Sequence, residues 1–353
     1  MHDSCRCYEL PPFSRFYFNL IYIARQSLCA AIMNRLFTIF FLLLICLFSS
    51  CKKDLLHFQK VQQLSSNTTM QLNNIRFISS NVCIIGGGIQ FAQSGVLRSV
   101  DGGYTWSVFS DTSAPKEMFG LGVSTNGRIY LSGVDGDVLQ SNDSGNTWKF
   151  NRIPDWLVYF GGYFPAPDTG IFVSSILQRQ CTVTRIDSNF KIIDEQTHLF
   201  GVNNVYPAGP RTSYLIGYGT VMVTTDNGNT WNFQDVNGDN FMAMDIHGQD
   251  IWLCGYAGSI FHTTDGGNNW KRLRNGNDIT LPRYNLLGIA FKDGQNGWAV
   301  CDDGKLIRTD DAGNHWEEYD RFTTSALRSI AICPNGDLLV AGDNGSIFRI
   351  TTL

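Results

Sequence analysis

The chain has 353 residues, a formal net charge of −4, 35 glycines and 13% aromatic residues. Nucleic-acid binding depends on a clustered basic surface. This weakly acidic composition therefore excludes nucleic-acid binding as a main function. Frequent glycine together with aromatic residues favours many short β-strands separated by tight turns.

The N-terminal region has the features of an export signal. Residues 36–48 are apolar except for Thr38, a basic residue precedes them and small residues follow. The run is shorter than the roughly 20 residues of a membrane-spanning helix, and it is typical of a secretory signal peptide over residues 33–50. Because residues 1–32 are a poor start for such a peptide, we expect translation to begin at Met33 and residues 1–32 to be an extension outside the mature protein.

Residues 47–51, with the sequence LFSSC, resemble the lipobox of bacterial lipoproteins. The resemblance implies that Cys51 is lipidated and begins the mature chain, with residues 51–55 as a short tether to the membrane. Lys52 follows the cysteine, and under the sorting rule of diderm lipoproteins the absence of aspartate there implies the outer membrane. Several acyl chains would make this anchoring stable. An uncleaved N-terminal anchor is the alternative interpretation.

A turn motif with the pattern Ser/Thr-x-Asp-x-Gly-x-x-Trp recurs along the rest of the chain. Its copies contain Asp101, Gly103 and Trp106; Asp143, Gly145 and Trp148; Asp226, Gly228 and Trp231; Asp265, Gly267 and Trp270; and Asp311, Gly313 and Trp316. Successive aspartates are about 40 residues apart, apart from one interval of about twice that length. That interval contains a degenerate copy at Asp187, in which Asn189 replaces the glycine and the tryptophan is absent. Asparagine also tolerates the left-handed conformation.

A period of about 40 residues with four short β-rich runs per repeat is typical of a β-propeller. Full blades begin near residues 72, 118, 158, 202, 241 and 284, and a seventh, with only three strands, begins near residue 326. Because pairing of the two chain ends closes a propeller without an open edge, we expect residues 56–64 to supply the missing outer strand. The predicted fold is therefore all-β: a seven-bladed propeller of four-stranded antiparallel blades over residues 56–353.

The turn motif resembles the BNR/Asp-box repeat of sialidases, sortilin-type receptors, xyloglucanases and photosystem II assembly-factor propellers. We expect each box to form the hairpin between the third and fourth strands of a blade. There the carboxylate accepts backbone N–H groups and the glycine supplies a positive φ. The tryptophan then begins the outer strand and packs between blades. We therefore interpret the box residues as structural, on the face opposite to the usual ligand site.

The cysteines that remain after the signal region lie in apolar surroundings. They are Cys83, Cys181, Cys254, Cys301 and Cys333. An odd number cannot all pair, and we interpret them as small buried hydrophobic residues. No cysteine or histidine spacing indicates a metal site, and no cofactor is expected.

A glycoside hydrolase is the alternative to a binding protein. The tripeptide RIP at residues 152–154 matches a sialidase motif, but it follows the second box at the end of an outer strand, whereas the family's motif precedes the first box on an inner strand. Other glycosidases need two carboxylates that flank one bond. The acidic candidates Asp302, Asp303 and Asp343 lie in turns, where acidic residues are common. We therefore predict no catalytic residues and no enzyme activity.

The sequence GYAGSIFHTTDGGNNW at residues 255–270, and its parallel at residues 303–316, resemble the photosystem II stability/assembly factor propellers. The resemblance extends over residues 55–353 and implies a non-catalytic propeller that binds or assembles proteins. Nothing in the sequence specifies a photosynthetic partner. We therefore expect a monomeric propeller that binds an envelope protein, or alternatively a glycan.

The predicted binding face is formed by the turns between second and third strands and by the connections between blades. Tyrosine, tryptophan and arginine are the residue types that most often anchor interfaces. The candidates on this face are Trp156, Arg179, Tyr218, Tyr256, Arg283, Tyr284 and Arg321. The alternative for each is an ordinary exposed or half-buried loop residue.

Overall fold

The computed structural model describes Arg35 and residues 55–352, except residues 110–112, 177–178, 237 and 239. The predicted lipidation site Cys51 and, apart from the exposed Arg35, the predicted signal peptide lie outside these residues. The described residues contain no helix with the length and hydrophobicity of a transmembrane span. Leu55–Leu353 form one compact unit.

Seven four-stranded antiparallel sheets make up this unit, and each sheet is one blade of a propeller. The predicted fold class is confirmed. Blade 1 contains β2 (Gln71–Phe77), β3 (Cys83–Ile89), β4 (Gln93–Ser99) and β5 (Ser107–Phe109). Blade 2 contains β6 (Met118–Val123), β7 (Ile129–Gly133), β8 (Asp137–Ser141) and β9 (Lys149–Arg152). Blade 3 contains β10 (Tyr159–Ala166), β11 (Thr169–Ile176), β12 (Gln180–Ile186) and β13 (Ile192–His198).

The remaining blades are arranged in chain order. Blade 4 contains β14 (Val202–Pro207), β15 (Ser213–Gly217), β16 (Thr220–Thr224) and β17 (Asn232–Phe233). Blade 5 contains β18 (Phe241–His247), β19 (Asp250–Gly255), β20 (Ile260–Thr263) and β21 (Lys271–Arg274). Blade 6 contains β22 (Leu286–Phe291), β23 (Gly297–Cys301), β24 (Leu306–Thr309) and β25 (Glu317–Glu318). Blade 7 contains β26 (Leu327–Ile332), β27 (Leu338–Gly342), β28 (Ile347–Thr351) and β1 (Lys60–Leu64).

The N-terminal strand β1 closes the ring, as predicted. It pairs antiparallel with β28, with Lys60 opposite Thr351 and Leu64 opposite Ile347. Just before β1, the N–H of Leu56 donates to the carbonyl of Glu318 at 2.8 Å, so the segment also reaches the outer edge of blade 6. The N-terminal segment therefore binds two neighbouring blades along their outer edges.

The hydrophobic core is divided among the interfaces between blades. Each pair of neighbouring blades encloses one cluster of buried apolar side chains, including the pair of blades 7 and 1. Between blades 5 and 6, for example, the buried Trp252 stacks on Phe291 with ring centroids 3.9 Å apart. The cysteines of the described part are unpaired and buried in these clusters and strands, which confirms their interpretation as small hydrophobic residues.

The five intact Asp boxes share one hydrogen-bond pattern, which the turn at Asp226 illustrates. Its Oδ1 accepts the N–H of Thr230 at 2.9 Å and the hydroxyl of Thr224 at 2.7 Å, and its Oδ2 accepts the hydroxyl of Thr230 at 2.7 Å. The oxygen of Thr224 in turn accepts the N–H of Gly228 at 2.9 Å. The same bonds recur at Asp101, Asp143, Asp265 and Asp311, with Asn269 and His315 in place of the second hydroxyl in the last two.

These hydrogen bonds stabilise the ionised form of the box carboxylates. Donation by the Thr147 hydroxyl, and then by its N–H, lowers the pKa of Asp143 to about 2. Donation by the Asn269 side chain lowers the pKa of Asp265 to about 2 as well. A carboxyl that is ionised down to this pH and bonded within its own turn is a poor proton donor near neutrality.

The boxes also join neighbouring blades, which the sequence does not reveal. The residue after each box aspartate has a positive φ. The carbonyl of this residue, or that of the residue after it, accepts a hydrogen bond from a side chain of the preceding blade. The side chain donates to the carbonyl in each of five pairs: Arg349 to Gly102 at 2.9 Å, Arg98 to Ser144 at 3.0 Å, Gln196 to Gly228 at 2.9 Å, Tyr214 to Gly266 at 2.8 Å, and Trp252 to Ala312 at 3.0 Å.

The degenerate box differs from the prediction in one respect. Oδ1 of Asp187 accepts the N–H groups of Asn189 and Lys191 at 2.8 and 2.9 Å, so the turn is still closed by its aspartate. The left-handed residue, however, is Phe190 with φ 62°, and the prediction that Asn189 takes this conformation is wrong. Phe190 packs into the cluster between blades 2 and 3, the position that tryptophan takes in the intact boxes.

Candidate binding face

The first strands of all seven blades line a central cavity of about 590 Å³. We call the end at which the chain enters these strands the upper face. It is formed by the connections between blades and by the turns between second and third strands. The opposite end, which carries the Asp boxes and the turns between first and second strands, is the lower face.

A ring of β-bulges surrounds the upper mouth of this cavity. In every first strand one residue near the upper end has no partner on the second strand, and each of these residues lines the cavity in a half-buried position. We call them the bulge ring; in blade order they are Asn73, Phe119, Phe160, Asn203, Met242, Leu287 and Arg328. Bulges redirect side chains in this way and commonly lie beside functional sites.

Small residues beside the bulges allow the inner strands to approach each other. A Cβ atom on Gly120 would lie 2.6 Å from the Cα of Gly161 in the next blade. The Asn73 side chain donates to the carbonyl of Met118 at 2.9 Å, and Asn203 makes the equivalent bond to Phe241 at 2.7 Å. Asn73 and Asn203 thus tie the bulge ring to the next blade, and the apolar members of the ring line the cavity.

All seven predicted binding residues lie on the upper face, but they do not form one group. Tyr256, Arg283 and Tyr284 line a cleft of about 420 Å³ between blades 5 and 6. Trp156 and Arg179 are exposed on blades 2 and 3, and Tyr218 is half-buried on blade 4. Arg321 is exposed at the rim of the cleft, where it donates to Asp303 at 2.7 Å.

Tyr284 forms the floor of this cleft instead of an exposed contact. It is 7% exposed, and its ring lies between the Arg274 guanidinium and the Lys305 ammonium, each 5.0 Å from the ring centroid. Its hydroxyl donates to Glu318 at 3.3 Å. Burial raises the pKa of Tyr284. These contacts hold blade 6 against the preceding connection, and the exposed part of the cleft is left to Tyr256 and Arg283.

The buried Arg274 fixes the long connection over residues 275–285. Its guanidinium donates to the carbonyls of Gly258 at 2.6 Å and Pro282 at 2.5 Å. This connection presents Ile279, which is 90% exposed, and Leu281 to solvent. Two large apolar side chains are therefore held outside the core by a buried cation, a feature that the polar composition of the loop concealed.

Most of the large apolar side chains that are exposed lie on the upper face. The lower face carries Val100 and Tyr104, and others lie on outer strands or beside the N-terminal segment. Those of the upper face are Ile89, Phe91, Trp156, Ile176, Leu199, Tyr256, Ile279 and Leu281. Sequence reasoning found only Trp156 and Tyr256 among them, because it considered residue types that anchor interfaces and left out the aliphatic residues and phenylalanine.

The arginine of the RIP tripeptide belongs to an ion pair inside blade 2. Arg152 ends the outer strand β9 and donates to Oδ1 of the buried Asp137 at 2.6 and 2.8 Å. Its guanidinium also lies 4.8 Å from the ring centroid of Trp156. Arg152 does not line the central cavity, where the motif of a sialidase would have to contribute its charge.

The acidic turn residues of the upper face have partners within the chain. Asp302 accepts the Asn285 side chain at 2.7 Å, Asp303 accepts Arg321, and Asp343 accepts Nε of Arg328 at 2.5 Å. Among the residues that the structure describes, no three histidine, cysteine or acidic side chains are grouped so that they could hold a metal ion. The arrangement is suited to recognition of polar groups and of apolar side chains.

Comparison with known proteins gives a consistent result. Residues 192–348 match the model of the family described as Photosynthesis system II assembly factor YCF48. The photosystem II assembly lipoprotein Ycf48 of Synechococcus sp. (strain CC9902) is 32% identical over 103 residues, which cover 26% of this chain and 31% of that protein. The match with this curated relative thus spans less than a third of the relative's length.

Solved structures extend the similarity in fold to most of the chain. YCF48 bound to D1 peptide superimposes with a TM-score of 0.63 at 16% identity, over 85% of this chain and 100% of that one. YCF48 from Cyanidioschyzon merolae has a TM-score of 0.60 at 18% identity, with coverage of 82% and 98%. An inactive virginiamycin B lyase from Staphylococcus aureus reaches 0.63 at 12% identity, with coverage of 83% and 99%. At these identities the likeness concerns the propeller fold alone.

Proposed function

Since this chain is a β-propeller of the photosystem II assembly-factor type, we propose that it is a non-catalytic scaffold that binds an envelope protein on its upper face. The observation that carries this proposal is the concentration of exposed apolar side chains on that face. Apolar side chains gathered on one face, where they can contribute to a shared apolar surface, support an interaction site on that face. The relative that is bound to D1 peptide supports a protein segment as ligand.

We further propose that a lipid on Cys51 holds the scaffold to the membrane. The name of the Synechococcus relative as a lipoprotein supports this anchor, and Lys52 is the basis for placing it in the outer membrane. The N-terminal segment runs along the outer edges of blades 6 and 7.

A carbohydrate-binding or sialidase-like propeller is the alternative. Hydrolysis of a glycoside needs two carboxylates that flank one bond, with one of them able to give up a proton. Asp303 and Asp343 each accept a hydrogen bond from an arginine. These pairings favour a structural role for the acidic turns and support binding over hydrolysis.

Site-specific photocrosslinking in intact envelopes tests the proposal. A photoreactive phenylalanine analogue is placed at Phe91, Trp156 or Ile279 on the upper face, and at Tyr104 on the lower face as a matched exposed control. We expect discrete protein adducts from the upper positions and none from Tyr104. Adducts of equal yield from Tyr104, or binding to a glycan array without any protein adduct, would contradict the proposal.

A further inference from the structure

We propose that the upper mouth of the central cavity binds an extended peptide segment in which a lysine or arginine stands next to a large apolar residue. The cation would lie at Glu117, and the apolar side chain on Phe119 and Phe160. This inference rests on the proposed protein-binding function and specifies the chemistry of the segment that is bound.

Glu117 lies in a second cavity of about 600 Å³ on the upper face, which Gln71, Phe119 and Asp343 also line. The residue is 4% exposed. The side-chain amides of Gln71 and Asn73 both donate to its Oε1, at 3.1 and 2.8 Å, and neither reaches Oε2. A backbone hydrogen bond from Gln90 also acts on this carboxylate. The buried carboxylate therefore borders an open cavity with acceptor capacity that these three donors leave unused.

The charges around Glu117 favour a cationic ligand. Arg328, whose charge acts on Glu117, donates to Asp343, and Lys116 forms an ion pair with Asp135. The group of Glu117, Asp343 and Arg328 therefore carries one negative charge in excess when Glu117 is ionised. A buried charge is stabilised when an opposite charge approaches it with good hydrogen-bond geometry. An ammonium or guanidinium in this cavity would balance the group.

The apolar half of the site adjoins this cavity. Phe119 lines both the second cavity and the central one, and its ring centroid lies 5.3 Å from that of Phe160. Met242 and Leu287 extend the apolar surface on the opposite side of the bulge ring. Consecutive side chains of an extended peptide point to opposite sides, so a segment that lies between the two halves can place one side chain in each. The ring of Phe119 can also face the cation.

Calorimetric titration of the full chain in detergent micelles tests this inference. The probe is the N-acetylated, C-amidated peptide Gly-Ser-Lys-Leu-Ser-Gly, with Gly-Ser-Glu-Leu-Ser-Gly as the charge-reversed control. We expect the lysine peptide to bind and the glutamate peptide not to bind. Glu117→Gln should weaken binding by about tenfold, as expected for the loss of one charge-assisted hydrogen bond. Glu195→Gln, on the exposed outer strand of blade 3, should leave the affinity unchanged.

The pH dependence gives a second readout. Burial, the first cause, and the nearby charge of Asp343 raise the pKa of Glu117. The hydrogen bonds of Asn73 and the Gln90 backbone and the charge of Arg328 act in the opposite direction. Binding of the lysine peptide should therefore weaken as the pH falls through this raised pKa, in the wild type and not in Glu117→Gln. Equal affinities of wild type and Glu117→Gln, equal binding of both peptides, or no binding at all would overturn the inference.

Two further controls keep the test decisive. If Glu117→Gln fails to fold by circular dichroism, Phe119→Ala and the charge-reversed peptide on the wild type still decide the outcome, with Phe119→Ala expected to weaken binding several-fold. If the wild type does not bind the lysine peptide but the upper-face photocrosslinks form, this inference alone is refuted. If the upper-face photocrosslinks are absent too, the proposed function is refuted.

Discussion

The lower and upper faces of this propeller are built from the same blades but use their polar groups in opposite ways. On the lower face the carboxylates of the intact Asp boxes accept hydrogen bonds within their own turns, and box carbonyls accept bonds from the preceding blade. On the upper face, connections of unequal length expose apolar side chains, and a buried carboxylate borders a cavity.

This difference separates stability from recognition within one repeat. A repeated turn whose polar groups bond to one another can recur around the ring because it needs nothing outside the blades. A surface that binds a partner needs groups that the chain itself leaves available. The two faces should therefore respond differently to acid and to substitution, and four experiments examine this.

Acid should produce the largest effect, through the lower face. The pKa values of Asp101, Asp143 and Asp265 are lowered to about 2 from an ordinary 3.8, so ionised boxes stabilise the fold above about pH 4. This contribution is lost as the pH falls from about 4 to about 2, because protons then bind the unfolded chain first. The urea midpoint, followed by tryptophan fluorescence, should fall steeply in this window. A urea midpoint that stays constant from pH 5 to pH 2 would contradict a stabilising role of the ionised boxes. In the Asp143→Asn variant the urea midpoint should depend less on pH than in the wild type.

Removal of one box should be the most destabilising single substitution on this face. Asp226→Ala deletes an acceptor of three hydrogen bonds from Thr224 and Thr230. We expect a loss of about 3 kcal/mol in the free energy of unfolding by urea, at about 1 kcal/mol per bond. The matched control is Asp168→Ala in the exposed turn after β10, where, among the residues that the structure describes, the carboxylate accepts one hydrogen bond, from the Thr169 hydroxyl at 3.2 Å. Similar losses for the two variants would show that the box contributes no more than an ordinary turn.

The bonds between blades should have an intermediate effect. Tyr214→Phe removes the hydroxyl that donates to the carbonyl of Gly266 in the next blade and keeps the ring in the core. Urea unfolding should show a loss of about 1 kcal/mol. Tyr104→Phe, whose side chain is 48% exposed, serves as the control and should change stability by less than about 0.5 kcal/mol. An unchanged stability for Tyr214→Phe would mean that water replaces the bond at no cost.

Substitution of the upper face should have the smallest effect on stability and a large one on binding. The triple variant Phe91→Ser, Trp156→Ser, Ile279→Ser changes exposed side chains, so its free energy of unfolding should stay within about 1 kcal/mol of the wild type. Recovery of partners from solubilised envelopes should nevertheless fall sharply. Unchanged recovery would show that this face is not the binding surface. We exclude Tyr284 from the variant because its contacts with Arg274, Lys305 and Glu318 are structural.

The sequence predicts the fold well because the boxes are local. All the groups that close one turn lie within a few residues of each other, so their pattern and period reveal both the hairpins and the number of blades. Bonds such as that from Arg349 to Gly102 join the two ends of the chain and leave no local pattern. Phe190 illustrates a further limit: a phenylalanine takes the place of the box tryptophan, one residue from the position where a left-handed residue was expected.

The candidate site is less predictable, although one signal exists. Each first strand contains a large apolar residue, then the bulge residue, then a small or short polar residue, as in Leu72-Asn73-Asn74 and Met118-Phe119-Gly120. With the blades aligned, this pattern would have identified the bulge ring. Burial of Tyr284 and exposure of Ile279 follow from the hydrogen bonds of Arg274 to the carbonyls of Gly258 and Pro282. Neither the composition nor the spacing of the sequence indicates such a tertiary contact.

The pairing of β1 with β28 also sets an order of events for folding. During synthesis β1 emerges among the first segments of the propeller and its partner among the last, so it must wait unpaired until nearly the whole propeller has appeared. Blades 1 to 6 can form as hairpins before that moment, but the interface between blades 7 and 1 cannot. A chain that ends before residue 347 would keep open strand edges on both sides of the gap, which are sites of aggregation and proteolysis. Ring closure therefore distinguishes a completed propeller from an interrupted one.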